Sequence, residues 1–182
     1  MISFLLFPLL TLLATLLHGT NASAAPATHS HPDPTSIRRS IAQRNAFLLA
    51  HNAVRVRHNA APLTWSVSLA QMAEQWADAC NFKHTNGILS DDPYGENIVA
   101  ATGNFPVSAA VGTFVQDESS YNPAHPVYNH FTQVVWKSTT QLGCAASTCN
   151  NIFPGKGPAT LYVCLYNPAG NIVGDIVQNV HL

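Results

Sequence analysis

Apolar residues recur at helical spacing in three stretches of the chain and crowd into short runs in four others. Between Arg38 and Asn59, the positions Phe47, Leu48, His51, Val54, Arg55 and His58 fall three or four residues apart, which predicts a helix with these residues on its inner stripe. Pro62 closes that segment. His51 and Arg55 lie on or beside the stripe, where their simplest role is hydrogen bonding to loops that cover the helix. Leu69, Met72, Ala73, Trp76, Ala79 and Cys80 predict a second, amphipathic helix capped by Ser66 or Ser68. Pro106 suits the first turn of a third. Along it Val107, Ala110, Val111, Phe114, Asp117, Glu118 and Tyr121 share one face, so an apolar stripe runs straight into two acids.

The short runs read as strands. Phe131 to Trp136 is rich in β-branched and aromatic residues and predicts a strand. Alternation would then place His130, Thr132, Val134 and Trp136 on one face and Phe131, Gln133 and Val135 on the other. Leu142 to Ala146 and Thr160 to Tyr166 predict two more, joined by a loop over residues 150–158. Ile98 to Ala101 follows Gly95-Glu96-Asn97, an unusual entry because a glutamate is seldom drawn inward without a partner. Asn86-Gly87 and Asp92-Pro93 mark the stretch before it as loop. Three helices with three or four strands, and no internal repeat, predict a layered α/β or α+β domain.

Composition adds a compartment. The chain has 182 residues, 47% of them hydrophobic, which suits one domain plus a targeting segment. A formal charge of −1 with only 9% charged residues gives no field for nucleic acid or an anionic membrane. Part of the apolar excess lies at Ile2 to Leu17, followed by Ala22-Ser23-Ala24. This pattern predicts a signal peptide over residues 1–24, with an N-terminal membrane anchor as the alternative. Residues 25–39 are expected to form a flexible leader, in which His29 and His31 belong to a solvated tail, and residues 40–182 the folded domain. No second long apolar run follows, so the expected product is secreted and soluble. The sequon Asn21-Ala22-Ser23 falls inside the signal, and no N-glycan is expected on the mature chain. An oxidising compartment reads the four cysteines, Cys80, Cys144, Cys149 and Cys164, as two disulfides with three pairings open. They lack the close C-x2-C pairs of a tetra-cysteine zinc site.

Chemistry rests on a scattered set. His84, Glu96, His130 and an acid at 117 or 118 supply two imidazoles and two carboxylates, a donor set that zinc or a similar divalent ion accepts. The same residues can equally form a hydrogen-bonded network around buried polar groups. No two stand at the spacing of an H-E-x-x-H helix, and no G-x-S-x-G elbow occurs. Nothing marks Ser119, Ser120 or Ser138 as activated.

Four stretches carry a family resemblance: His51-Asn52-Ala53-Val54-Arg55, Gly95-Glu96-Asn97-Ile98, the run from His130 to Trp136, and the run from Tyr162 to Asn171. In this order they resemble the signature motifs of the CAP superfamily, which holds cysteine-rich secretory proteins, venom antigen 5 and plant pathogenesis-related 1 proteins. Lys137 to Cys144 looks most similar to fungal secreted members. The resemblance implies an α+β fold, a three-layer α-β-α sandwich around a central antiparallel sheet. It implies a tetrad of His84, Glu96, Asp117 and His130, with Glu118 as the substitute for Asp117. Asp117 stands where relatives carry the longer Glu, Asn129 where Gly is common, and Phe114 where many have Trp. The disulfides implied are Cys144–Cys164 and Cys80–Cys149. Fungal relatives bind sterols and fatty acids, with an aromatic-bearing loop before the strand histidine. Here the corresponding residues are Tyr121, Val127 and Tyr128. The functional expectation is therefore an extracellular, monomeric binder of a sterol or other small lipid, with zinc at the tetrad. Two alternatives stand beside it: a signalling ligand for a host or cell-surface protein, and a metal-dependent hydrolase with Glu96 as general base.

Overall fold

A computed structural model describes residues 34–182. The signal peptide and most of the expected leader lie outside the described residues. The first helix, α1, spans Pro34–Arg57 and so begins inside the stretch expected to be leader. Proline is tolerated in a first helical turn, where its missing N–H costs nothing. After it come β1 (Thr64–Trp65), α2 (Val67–Asp78), β2 (Gly95–Thr102) and α3 (Val107–Phe114). A 3-10 turn (Gln116–Ser120), α4 (His130–Val134), β3 (Gln141–Cys149), β4 (Ala159–Asn167) and α5 (Ile176–Asn179) complete the described chain.

The strands form one sheet in the order β1-β3-β4-β2. β4 pairs antiparallel with both β3 and β2, while the two-residue β1 pairs parallel with β3. Residue parity sorts the core. On β3 and β4 the even-numbered Leu142, Cys144, Tyr162, Cys164 and Tyr166 join Phe47 and Val54 of α1 and Ala110, Val111 and Phe114 of α3. The odd-numbered Ala145, Cys149, Leu161, Val163 and Leu165 join Leu69, Ala73 and Ala77 of α2. Alternate side chains thus feed two cores on opposite faces, which makes three layers of an α+β sandwich. Ser66 caps α2 by accepting the Leu69 N–H at 3.3 Å. Cys80–Cys149 ties the end of α2 to the end of β3, and Cys144–Cys164 joins directly opposed residues of β3 and β4.

Two elements differ from expectation, each for a local reason. The run expected as a strand at Phe131 to Trp136 is instead the helix α4 and its exit. Every residue from Phe131 to Trp136 is buried, so apolar alternation carried no information there. The deciding signal is polar. Asn129 accepts the Thr132 N–H at 2.9 Å while Thr132 Oγ1 accepts the Asn129 N–H at 2.9 Å, a reciprocal capping box that starts a helix. The face assignment of His130 by strand alternation falls with it. Similarly, α3 stops at Phe114 and a 3-10 turn carries Asp117 and Glu118. A helical wheel extended past Phe114 therefore misplaces both acids.

Candidate functional site

The site is built on the ends of three elements. β2 enters the sheet with Gly95 and Glu96, and α4 begins at His130. Gln133 of α4 sits between Gly95 and Gly170, where a Cβ on either glycine would overlap it. Its Oε1 accepts the Gly170 N–H at 3.0 Å, which locks the β4 exit against α4.

His84 Nδ1 approaches Glu96 Oε1 at 2.5 Å, and Glu96 Oε2 accepts the Thr85 N–H at 3.0 Å. The Glu96 side chain is buried while that of His84 is half-exposed. The His84 and His130 rings lie 6.4 Å apart and nearly parallel, with Phe114 5.7 Å from His130 on another side. Burial lowers the His130 pKa, the neighbouring His84 lowers it further, and Asp117 and Glu96 oppose both effects. Of the two acids after Phe114, Asp117 is the one whose charge acts on this histidine. Glu118 points elsewhere: its carboxylate holds Arg57 at 2.9 Å and approaches His58 Nε2 at 3.2 Å. That second approach is an ion-pair distance without hydrogen-bond geometry, since His58 Nε2 has no hydrogen-bond partner.

The donor types suit zinc: His84 meets Glu96 and lies near His130, and the charge of Asp117 acts on His130. Two imidazoles on one zinc place their ring centres roughly 5–6 Å apart, given Zn–N bonds of about 2.0–2.1 Å. At 6.4 Å a small swing of the half-exposed His84 would close the pair, leaving the carboxylates as outer partners. Among the described residues, three ligand-type atoms lie within 4.8 Å of one another only at His51, Cys144 and Cys164. Those sulfurs are bonded to each other, so that cluster is no metal site.

Behind the site lies a buried polar chain. The Phe47 carbonyl can only accept, so His51 donates from Nδ1 at 2.8 Å and its Nε2 accepts the Tyr166 hydroxyl at 2.8 Å. Tyr166 in turn accepts from Asn97 Nδ2 at 3.1 Å, and the same amide donates to the His130 carbonyl at 3.1 Å. Burial drives the His51 pKa down to about 4 and raises that of Tyr166 well above the phenolic range, so both stay neutral. Arg55 is fully buried beside them and donates to the carbonyls of Ala61, Val134, Trp136 and Thr139 at 2.8–2.9 Å. The Val134 carbonyl ends α4, where a short helix leaves acceptors unpaired, and that of Trp136 lies just past the helix. The expected loop-binding role of His51 and Arg55 is thus met by Arg55, while His51 reaches the sheet.

The loop residues divide. Tyr121 is buried against Phe131, with ring centres 5.8 Å apart. Val127 and Tyr128 face outward, and the Tyr128 hydroxyl accepts the Gly174 N–H at 2.9 Å. A cleft of about 310 Å³ opens beside His84 and Glu96 and reaches Tyr94 and Asn171, but neither His130 nor Asp117 lines it. On the far side of α1, an apolar groove of about 620 Å³ runs between α1 and α3. Its sequence signal is a column of alanines, Ala42, Ala46, Ala50 and Ala53, at helical spacing beside Leu49, which the inner-stripe reading passed over.

A family model described as "CAP: Cysteine-rich secretory protein family" matches residues 48–166. The chain belongs to the CAP family. Its relatives include the fruiting body protein SC14 of Schizophyllum commune, 38% identical over 139 residues that make 70% of this chain and 62% of that protein. The pathogenesis-related protein PR-1 of Medicago truncatula is 33% identical over 180 residues, covering 93% of this chain and 94% of its own. The secreted protein RBT4 of Candida albicans is 40% identical over 135 residues, 70% of this chain and 35% of that one. Against several fungal CAP relatives, therefore, the chain spans only part of their length. The crystal structure of NaASP2 with Zn2+ shares the fold at a TM-score of 0.57 and 23% identity, covering 71% of this chain and 81% of that one. MpPR-1i does so at 0.54 and 24%, covering 78% and 93%. Relatives named as secreted proteins and two disulfides agree with an extracellular CAP protein.

Proposed function

We propose that this CAP protein carries a small lipid, a fatty acid or sterol, outside the cell, and that His84 and His130 hold a divalent metal with Glu96 and Asp117 as outer partners. The groove between α1 and α3 supports the lipid reading. Its α1 wall of alanines is hollow because the side chains are short, and Leu49, 75% exposed, stands at its rim. Pro106 and Val107 of the α3 start form the other wall. No charged side chain lines it, so a hydrocarbon chain laid there gains about 25 cal/mol per Å² of apolar surface covered. The outward Val127 and Tyr128 offer a second apolar spot, suited to the rings of a sterol.

Uptake of a fluorescent fatty acid and of a radiolabelled sterol by the purified protein tests this. Ala46→Trp fills the groove and should abolish fatty-acid uptake with Tm unchanged. Val127→Asp should cost sterol uptake alone. No uptake of either ligand by the parent protein would end the carrier reading.

For the metal, the donor set and the pairing of His84 with His130 support zinc, and the NaASP2 structure is described with Zn2+. Bound there, zinc would cross-link the β2 entry region to α4 and act as a Lewis acid. A hydrolase reading has less support, because both oxygens of Glu96 are engaged by His84 and the Thr85 amide, leaving it poorly placed as a general base. Calorimetric zinc titration that is lost in His130→Ala would support the metal assignment, and identical titrations would remove it.

A further inference from the structure

β1 borders β3 only at Gln141 and Leu142. From Gly143 to Cys149, β3 has β4 on one side and, among the described residues, no strand on the other. The Leu142 carbonyl receives the Ser66 N–H at 2.8 Å, so Leu142 directs its peptide groups away from β4. Peptide groups alternate along a strand, and Cys144, Ala146 and Thr148 therefore point the same way. Such an open row of donors and acceptors is a template for another strand.

A cleft of about 370 Å³ follows this edge. Because α1 and α2 cover opposite faces of the sheet, each forms one wall. Ile41 and Arg44 project from α1, while Glu74 and Asp78 project from α2. Arg44 and Glu74 form no ion pair with any described side chain, and Asp78 accepts a hydrogen bond from the Ser147 hydroxyl on the floor. A strand entering the cleft would turn alternate side chains to the two walls. One set would meet a cation and an isoleucine, the other two carboxylates.

We propose that the open edge of β3 binds an extended segment of a partner protein as a fifth strand, with basic side chains toward α2 and acidic or apolar ones toward α1. Backbone pairing at Cys144 and Ala146 supplies attachment, and the opposed charges of the two walls fix which face of the peptide turns which way. The site shares no lining residue with the histidine cleft and borders the lipid groove at Gln43 of α1.

The test uses the full chain and two capped peptides, Ac-Val-Lys-Glu-Lys-Val-NH2 and its charge-reversed form Ac-Val-Glu-Lys-Glu-Val-NH2, followed by amide NMR and hydrogen exchange. The first peptide should bind saturably, and the second at least tenfold more weakly. On binding, exchange at the Cys144 and Ala146 amides should slow, while Ala145 and Ser147, paired with β4, stay slow throughout. Ala146→Pro removes an edge donor without touching the β4 ladder and should abolish binding. Glu74→Lys should narrow or invert the preference between the peptides, and it serves alone if the proline variant does not fold. Failure of both peptides to bind at millimolar concentration overturns the proposal, as does equal binding to Ala146→Pro. Protection of Cys144 and Ala146 without peptide also overturns it, since the edge would then be held by residues 25–33 or a second copy.

Discussion

Acidification should weaken this fold through His51. Burial lowers its pKa from 6.5 to about 4, the Arg55 charge adds to that, and the Phe47 carbonyl opposes it. In the unfolded chain the same imidazole titrates near 6.5. Between the two values the unfolded chain holds a proton that the folded one lacks. Stability from this group is therefore complete above pH 6.5 and declines as pH falls toward 4. A difference of 6.5 − 4 pKa units, at 1.36 kcal/mol each, amounts to about 3 kcal/mol. Against a typical total of about 5–15 kcal/mol, a loss of that size moves a urea midpoint clearly. His130 shifts in the same direction, so the wild-type curve alone does not isolate His51. His51→Gln keeps a polar head group without a titrating proton. Urea unfolding at pH 7 and pH 4, read by fluorescence of the buried Trp136 with disulfides intact, should show a loss in the variant about 3 kcal/mol smaller than in the wild type. Parallel pH dependence in the two proteins would refute the claim that His51 is held neutral by burial.

Further outcomes follow from the same geometry. Arg55→Ala strips donors from four carbonyls, three of them in buried bonds, and should cost about 3–5 kcal/mol in urea unfolding, and Arg55→Lys should restore only part, because an ammonium does not span that fan of acceptors. Removing Cys80–Cys149, which spans 69 residues, should cost about 4 kcal/mol, against about 3 for Cys144–Cys164 over 20, by thermal unfolding of serine pairs. In zinc titrations Asp117→Asn should weaken binding several-fold while Glu118→Gln leaves it unchanged, since Glu118 serves Arg57 and His58. Equal effects of the two would erase the distinction between the acids.

Much of the layered fold is legible along the chain because α2 carries a clear helical stripe, and β3 and β4 are short apolar runs joined by a loop of turn residues. α4 was hidden for the opposite reason. When six consecutive residues are all buried, hydropathy has no phase, and only the Asn129–Thr132 pair reveals the helix. The two acids after Phe114 are indistinguishable by spacing because the helix tightens into a 3-10 turn, where Arg57 and His58 claim Glu118. Tyr121, grouped with Val127 and Tyr128 by the resemblance of their loop to a sterol-binding one, is core and packs on Phe131. The polar chain from His51 to the His130 carbonyl joins residues far apart in sequence, and no local pattern announces it.

The parity of β3 and β4 bears on which changes in length this domain tolerates. Leu161 to Tyr166 are all buried, with neighbours assigned in turn to the two cores. Deleting or inserting a single residue inside either strand would exchange the side chains offered to α1 and α2, emptying both cores at once. Substitutions there can be absorbed one face at a time, whereas indels cannot. Residues 150–158, the loop between the strands, are where insertions and deletions can accumulate, because length added there leaves every strand residue facing its own layer.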